Sequence, residues 1–216
     1  AYWDELRRRH PQLIIDSCAS GGRRNDLETM RRAVPLHPTD YNYGDLTVKQ
    51  AFHHSLYQWI PYFGSNTVPT DRPDPYAIRS GQSLSTTYGY DMRRDDFDYD
   101  QLRTLTKQLK RTVPCYCGDF YPLTPYNRAP KEWIAWQFHV ADRDAGMVQA
   151  FRRSESGTSA KTFRLGGLDP AAEYRVHDLD QATPITVSGR ELMEEGLPVS
   201  ISGRPGAVVV QYVREK

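Results

Sequence analysis

The hydrophobic period of this chain changes once, near Val113-Pro114. Before that point short apolar runs alternate with helical stripes. After it, helical periods stop and short runs separated by turn residues take over. Leu102, Leu105 and Leu109 form an i, i+3, i+7 stripe, and Asp98 with Gln101 sets a capping box in front of it. Beyond the change, Ile134–Val140, Met147–Arg152, Lys161–Leu165, Tyr174–Asp178 and Ala207–Val213 read as strands. Gly166-Gly167, Asp169-Pro170, Ser188-Gly189 and Gly203-Arg204-Pro205-Gly206 supply the turns between them. The pattern predicts a β/α module over residues 1–112 and an all-β antiparallel module over 113–216.

Within the first module, residues 2–10 predict a surface helix with Trp3 and Leu6 on one side, stopped by Pro11. Leu13-Ile14-Ile15 predicts a short strand buried on both faces. Asn25 or Asp26 caps a helix over about 26–33, Val34–His37 is another short strand, and Leu46–Trp59 is helical with Ala51, Leu56 and Trp59 near one face. Gly64, Pro69, Pro73 and Pro75 make 64–75 a long loop.

Composition narrows the function classes. Across 216 residues, 28 Lys and Arg balance 27 Asp and Glu, and the net charge of +1 calls for neither nucleic acid nor an anionic membrane as partner. No run approaches the roughly 18 apolar residues of a membrane span. The stretch Ala1–Arg9 lacks the basic and apolar regions of a signal peptide, which favours a cytoplasmic placement. Hydrophobic residues are only 38% of the chain and mean hydropathy is −0.69, yet aromatics reach 12%. Such a chain is globular but short of core, as expected if part of its buried surface lies against something outside it. Three cysteines, Cys18, Cys115 and Cys117, imply no disulfide framework.

The strongest local feature is the strand-to-loop unit Ile14-Ile15-Asp16-Ser17-Cys18-Ala19-Ser20-Gly21-Gly22-Arg23. In a parallel β/α array the loops after strand C-termini build the ligand site, and small residues let backbone N–H groups approach a polar ligand. An ordinary glycine turn fits the spacing equally well. One unit later, His37-Pro38-Thr39-Asp40 puts an Asp on the same rim, beside Tyr41. A carboxyl at such a strand end can donate a proton, although a turn or N-cap is the commoner role for a single Asp. Cys115-x-Cys117 lacks the remaining ligands of a zinc site, and on a strand both thiols face one side, which predicts two buried thiols. His53 and His54 are adjacent and diverge on a helix, which is poor metal geometry. Asp91–Asp98 is a mixed-charge run expected to be a solvated loop.

The segment from Asp16 through Arg23-Arg24-Asn25-Asp26-Leu27, followed by Pro35-Leu36-His37-Pro38-Thr39-Asp40, resembles the bacterial α-galactosidases of glycoside hydrolase family 36, the melibiase group. Gly118–Leu123 and Phe151-Arg152-Arg153 resemble that family's passage from barrel to β domain. Gly167-Leu168-Asp169-Pro170 with Tyr174, and Gly189–Met193 with Gly196-Leu197, resemble its C-terminal sandwich. The resemblance implies the C-terminal part of a (β/α)8 barrel, from about strand six onward, followed by an antiparallel β-sandwich. It also implies a retaining hydrolase acting on terminal α-linked galactose in oligosaccharides. Asp40 falls on the general acid/base. Cys18, Ser20, Gly21, Gly22, His37 and Thr39 fall on substrate-binding loop positions, with Asp16, Arg23 and Asp26 in support. His37 and Thr39 stand where many members carry Trp and Ser.

The family's nucleophile element, Lys-x-Asp-x-Asn or Arg-x-Asp-x-Asn, is absent from this sequence. The resemblance therefore predicts a chain that supplies the acid/base but not the nucleophile and is inactive alone. Its partners are then a galactoside substrate, the N-terminal part of the barrel and further copies of itself. Neither a metal nor an organic cofactor is required, because two carboxyls supply both charges. α-N-acetylgalactosaminidase specificity and a carbohydrate-binding β module with an inactive barrel fragment are the competing expectations.

Overall fold

The computed structural model describes residues 2–18, 22–39, 44–60 and 62–215. Its N-terminal half is a series of capped helices and very short strands. Helix α1 (Tyr2–Arg9) carries Asp4 and Glu5 in its first turn and three arginines in its last, which suits the helix dipole. Arg32 Nε donates to Asp4 Oδ1 at 2.6 Å, tying α1 to the chain just beyond α2 (Leu27–Met30). An Asp side chain caps each following helix. Asp45 accepts from Thr47 N–H at 2.8 Å ahead of α3 (Leu46–Leu56). After β1 (Gly64–Asn66), Asp74 accepts from Ala77 N–H at 2.8 Å ahead of α4 (Pro75–Ser80), where Pro75 opens the helix without wasting a donor. After β2 (Ser85–Thr87), Asp98 accepts from Gln101 N–H at 2.9 Å and starts α5 (Tyr99–Thr112), whose Leu102, Leu105 and Leu109 are buried as their spacing predicts.

A 3₁₀ turn over Val113–Cys117 leads into the β module. Its elements are β3 (Asp119–Pro122), β4 (Trp133–Val140), β5 (Ala145–Arg152), β6 (Ala160–Phe163), β7 (Glu173–Asp178), β8 (Ile185–Ser188), α6 (Gly189–Glu194), β9 (Leu197–Ser200) and β10 (Gly206–Arg214). Six strands pair antiparallel in the order β3-β4-β5-β10-β7-β8, and β6 pairs with β9 in a second sheet. The five predicted strands are all present.

The six-stranded sheet is covered on both faces, which explains why β4 and β5 are buried almost throughout rather than alternating. Trp133, Ala135, Val148, Ala150, Val210 and Tyr212 point toward β6, β9 and α6. Ile134, Trp136, Phe138, Met147 and Phe151 point the other way and pack with Leu56, Tyr57, Phe63 and Tyr76 from the N-terminal half. Each large side chain so buried contributes about 1.5–3 kcal/mol. Gln149, buried in this second cluster, accepts from Tyr116 Oη at 3.1 Å and Trp136 Nε1 at 2.9 Å, so its amide is not a bare polar group in a core.

Several expectations are corrected. Leu13-Ile14-Ile15 is not a buried strand: only Asp16 bridges, in parallel to Val34, and Ile14 is 74% exposed. No described residue covers that edge. The expected 26–33 helix is the single turn α2 with Asp26 as its cap, and α3 stops at Leu56, leaving Trp59 exposed. Residues 64–75 are not all loop, since β1 occupies 64–66. Ser188-Gly189 is a helix start rather than a turn, with Ser188 Oγ accepting from Glu191 N–H at 3.1 Å. Cys115 is buried but Cys117 is exposed. In a 3₁₀ turn of about three residues, positions i and i+2 face different directions, whereas on a strand they share a face. Of the fold class expected, the antiparallel β part is present, and the chain does not contain a whole barrel.

Candidate functional site

The N-terminal half places four short backbone segments side by side. Val34 N–H donates to Ile15 O at 2.8 Å and Ser17 N–H to Val34 O at 3.0 Å, around the parallel bridge between Asp16 and Val34. Gly64 N–H donates to Pro35 O at 2.9 Å, setting β1 beside the 34–36 segment, and β1 pairs parallel with β2. The two sequence-selected loops, beginning at Ser17 and at His37, therefore leave neighbouring parallel segments at the same end.

Three contacts clasp these loops. Asp16 Oδ1 accepts from Cys18 N–H at 3.0 Å and from Leu36 N–H at 3.1 Å, so one carboxylate brackets both loop starts. Asn25 Nδ2 donates to Pro38 O at 2.8 Å. Gly22 has φ +84°, and a Cβ there would lie 2.1 Å from Pro38 O and 2.8 Å from Asn25 Nδ2. Only glycine allows this approach. Gly22→Ala is expected to cost about 1–3 kcal/mol in urea unfolding and to shift the amide resonances of His37 and Thr39. An unchanged unfolding midpoint with unmoved resonances overturns the clasp.

The remaining sequence-selected residues are placed as follows. Cys18 and Arg23 are exposed, and Asp26 is spent as the α2 cap, accepting from Thr29 N–H at 2.9 Å. His37 and Thr39 line a small cavity of about 50 Å³ together with Lys49, His53, Ser65 and Asn66. Ser20, Gly21 and Asp40 lie outside the described residues.

The far wall of that cavity comes from α3, and sequence reasoning missed it. Lys49 is buried and donates from Nζ to Asn66 O at 2.6 Å and Asn66 Oδ1 at 3.0 Å, anchoring the end of β1. Burial pushes its ammonium down to about 8. One turn on, His53 Nε2 pairs with Ser65 Oγ at 2.8 Å. Burial, and then the Lys49 charge, lower His53 to about 3, so its imidazole is neutral at pH 7. His54 diverges as predicted and meets Thr124 O at 3.0 Å. Lys49 and His53 at i, i+4 beside Phe52 is the one signal that would have pointed to a polar face on this helix.

Residues 133–211 match the family model described as the Glycosyl hydrolase family 36 C-terminal domain. The chain is similar to alpha-galactosidase AgaA of Geobacillus stearothermophilus, 28% identical over an alignment of 212 positions that covers 90% of this chain and 27% of that protein. It is also similar to alpha-galactosidase C of Emericella nidulans, 29% identical over an alignment of 226 positions that covers 99% of this chain and 29% of that protein. Among solved structures, an AgaA variant in complex with raffinose superposes with a TM-score of 0.76 at 21% identity, covering 99% of this chain and 30% of that one. The galactosidase domain of AgaSK superposes with a TM-score of 0.75 at 20% identity and the same coverage. These superpositions establish a shared fold. The chain spans between 27% and 29% of the length of the two curated relatives named.

Proposed function

We propose that this chain, whose residues 133–211 match the glycosyl hydrolase family 36 C-terminal domain, is the C-terminal portion of a retaining α-galactosidase. In this reading it supplies the last parallel segments of a (β/α)8 catalytic barrel over 1–112 and the β-sandwich over 113–216. Four segments lie side by side, one or so more than a start at strand six implies. The clasp of the 17–22 and 37–39 loops is the observation that carries the reading. It brings the loop starts at Cys18 and at His37–Thr39 together at one end of adjacent parallel segments, which supports an active site there, as a barrel builds one.

Asp40 is then the acid/base that protonates the leaving oxygen and afterwards deprotonates water, while a carboxylate outside this chain attacks the anomeric carbon. Cys18, Ser20, Gly21, Gly22, His37 and Thr39 line the galactosyl pocket, and Asp16 positions both loops. The uncovered edge supports the idea of further barrel segments. Leu13, Ile14, Leu27 and Leu36 are all exposed on or next to the first two segments, a set of apolar side chains that a neighbouring strand and helix would bury.

The test is a panel of nitrophenyl α-glycosides and raffinose, assayed with the complete polypeptide and with the 216-residue chain. Hydrolysis of α-galactosides by the complete protein and none by the chain alone is expected. Turnover by the chain alone sinks the divided-site reading. A complete protein that prefers α-N-acetylgalactosaminides or another α-glycoside overturns the sugar assignment.

A further inference from the structure

The loops that leave β1 and β2 flank a second, larger cavity of about 350 Å³, open to solvent and lined by Thr70, Asp71, Tyr90, Asp91, Arg94 and Phe97 among others. The geometry points to a binding site for a neutral polyhydroxy ligand, a sugar unit of an oligosaccharide, between these two loops. The oligosaccharide character of the ligand rests on the function proposed above; the cavity and its chemistry do not.

The site is held in shape before any ligand arrives. Thr67 N–H donates to Thr87 O at 2.9 Å, and Gly89 N–H donates to Thr67 Oγ1 at 3.1 Å. A Cβ on Gly89 would lie 2.9 Å from Thr67 O, so glycine lets the loops close this far. Tyr90 and Phe97 form the floor, with ring centroids 4.8 Å apart, and both are buried with Ile78, Leu102 and Leu105. Tyr99 Oη sits 2.9 Å from Met92 O and 2.8 Å from Arg94 O, which staples the second loop to α5.

Hydrogen-bond accounting then identifies the ligand class. Thr70 Oγ1 donates to Arg72 O at 2.5 Å, so at 3.3 Å it accepts from Tyr90 Oη, whose own lone pairs stay available. Arg94 spends Nε and Nη2 on Asp96, both at 2.9 Å, which leaves Nη1 as a donor, and its guanidinium sits 5.5 Å over the Phe97 ring. Asp71 and Asp91 are close enough to Arg94 to favour its charged form. Arg93 donates from Nε and Nη2 to the two oxygens of Asp91, each at 2.8 Å, so Asp91 and Asp96 are each paired with an arginine. Asp71 is the carboxylate left over, and its charge disfavours an anion. Among the described residues no three His, Cys, Asp or Glu gather as a metal-holding group. The Asp71 carboxylate and the Tyr90 hydroxyl as acceptors and Arg94 Nη1 as a donor suit the hydroxyls of a neutral sugar. The volume lies near the low end of the roughly 300–1,000 Å³ usual for ligand pockets.

The test is an NMR titration of the isotope-labelled 216-residue chain with raffinose, with galactose and, as an anion control, with inorganic phosphate. Saturating shifts of the Gly89 and Asp71 amides with the sugars but not with phosphate are expected. Asp71→Ala, at an exposed position, should weaken them about tenfold while leaving the rest of the spectrum in place. No saturable shift, equal shifts with phosphate, or shifts that survive Asp71→Ala unchanged each overturn the site. Loss of galactosidase activity in the complete protein leaves this binding intact, so the two readings fail separately.

Discussion

Replacing Asp40 by Asn in the complete polypeptide is expected to slow hydrolysis of raffinose by roughly 10²–10⁴-fold. An amide cannot deliver a proton to the departing oxygen, and a sugar alkoxide leaves poorly without one. A nitrophenolate needs little protonation. With a nitrophenyl α-galactoside the first step of Asp40→Asn therefore proceeds, and the deficit moves to attack by water, where the same group acts as base. The expected signature is a large fall in kcat/KM for raffinose, a much smaller one for the phenolic substrate, and a lower kcat for both. Once the nucleophile is esterified its charge is gone, which lowers the pKa of its partner and suits it to base action in the second step. Rates near wild type on both substrates would falsify the assignment of Asp40.

Arg153→Ala is expected to destabilise the chain by about 3–5 kcal/mol, a fall of roughly 6–20 °C in Tm for a protein of this size. Arg153 is fully buried and all five of its N–H groups are used. Nε donates to Gln50 Oε1 at 3.0 Å, and Nη2 donates to Thr47 O and Asn127 O, each at 3.2 Å. Nη1 donates to Ala129 O at 3.1 Å and to Asn127 Oδ1. Gln50 continues the chain by donating to Ser80 Oγ at 2.9 Å. Truncation leaves the buried Gln50 and Thr47 acceptors without donors, and the penalty of an unmade bond exceeds the modest gain of a made one. Burial lowers the guanidinium pKa, and the polar oxygens of Gln50, Thr47, Asn127 and Ala129 receive its donors. Arg153→Lys keeps the charge but has three donors instead of five, and an intermediate loss is expected. Urea and thermal unfolding of the three proteins measure this, and a loss below about 1 kcal/mol for Arg153→Ala sinks the account.

Much of the molecule was legible because its signals are local. Asp98 and Gln101 specify a helix start within four residues, and the stripe of leucines behind them names its buried face. The strands of the β module were legible for a related reason: a strand covered on both faces needs a largely apolar run, and Ile134–Val140 supplies one, broken only by Gln137 and His139. The errors came where local pattern was ambiguous. Leu13-Ile14-Ile15 has the composition of a buried strand, but the described residues pair only Val34 beside its end, and Leu13 and Ile14 stay exposed. Cys115 and Cys117 were read on a strand period when the backbone there turns as a 3₁₀ helix. Lys49 was passed over because a lysine on a helix is usually solvated.

By itself, the sequence determined the change from helical to strand pattern near Val113, the caps at Asp26 and Asp98, and most strands of the sheet, and its order of motifs points to Asp40. Tertiary structure alone decided which segments lie side by side, that Gly22 touches Pro38, and that one carboxylate, Asp16, brackets two loops. It also decided that Arg153 ties α3 to the β module through Gln50 and Thr47, partners more than a hundred residues away in the chain. The physical reason is range. Backbone dihedrals and caps depend on residues within a turn or two. The partner of a buried polar group depends on which distant segment packing brings within about 3 Å, and no local pattern carries that information.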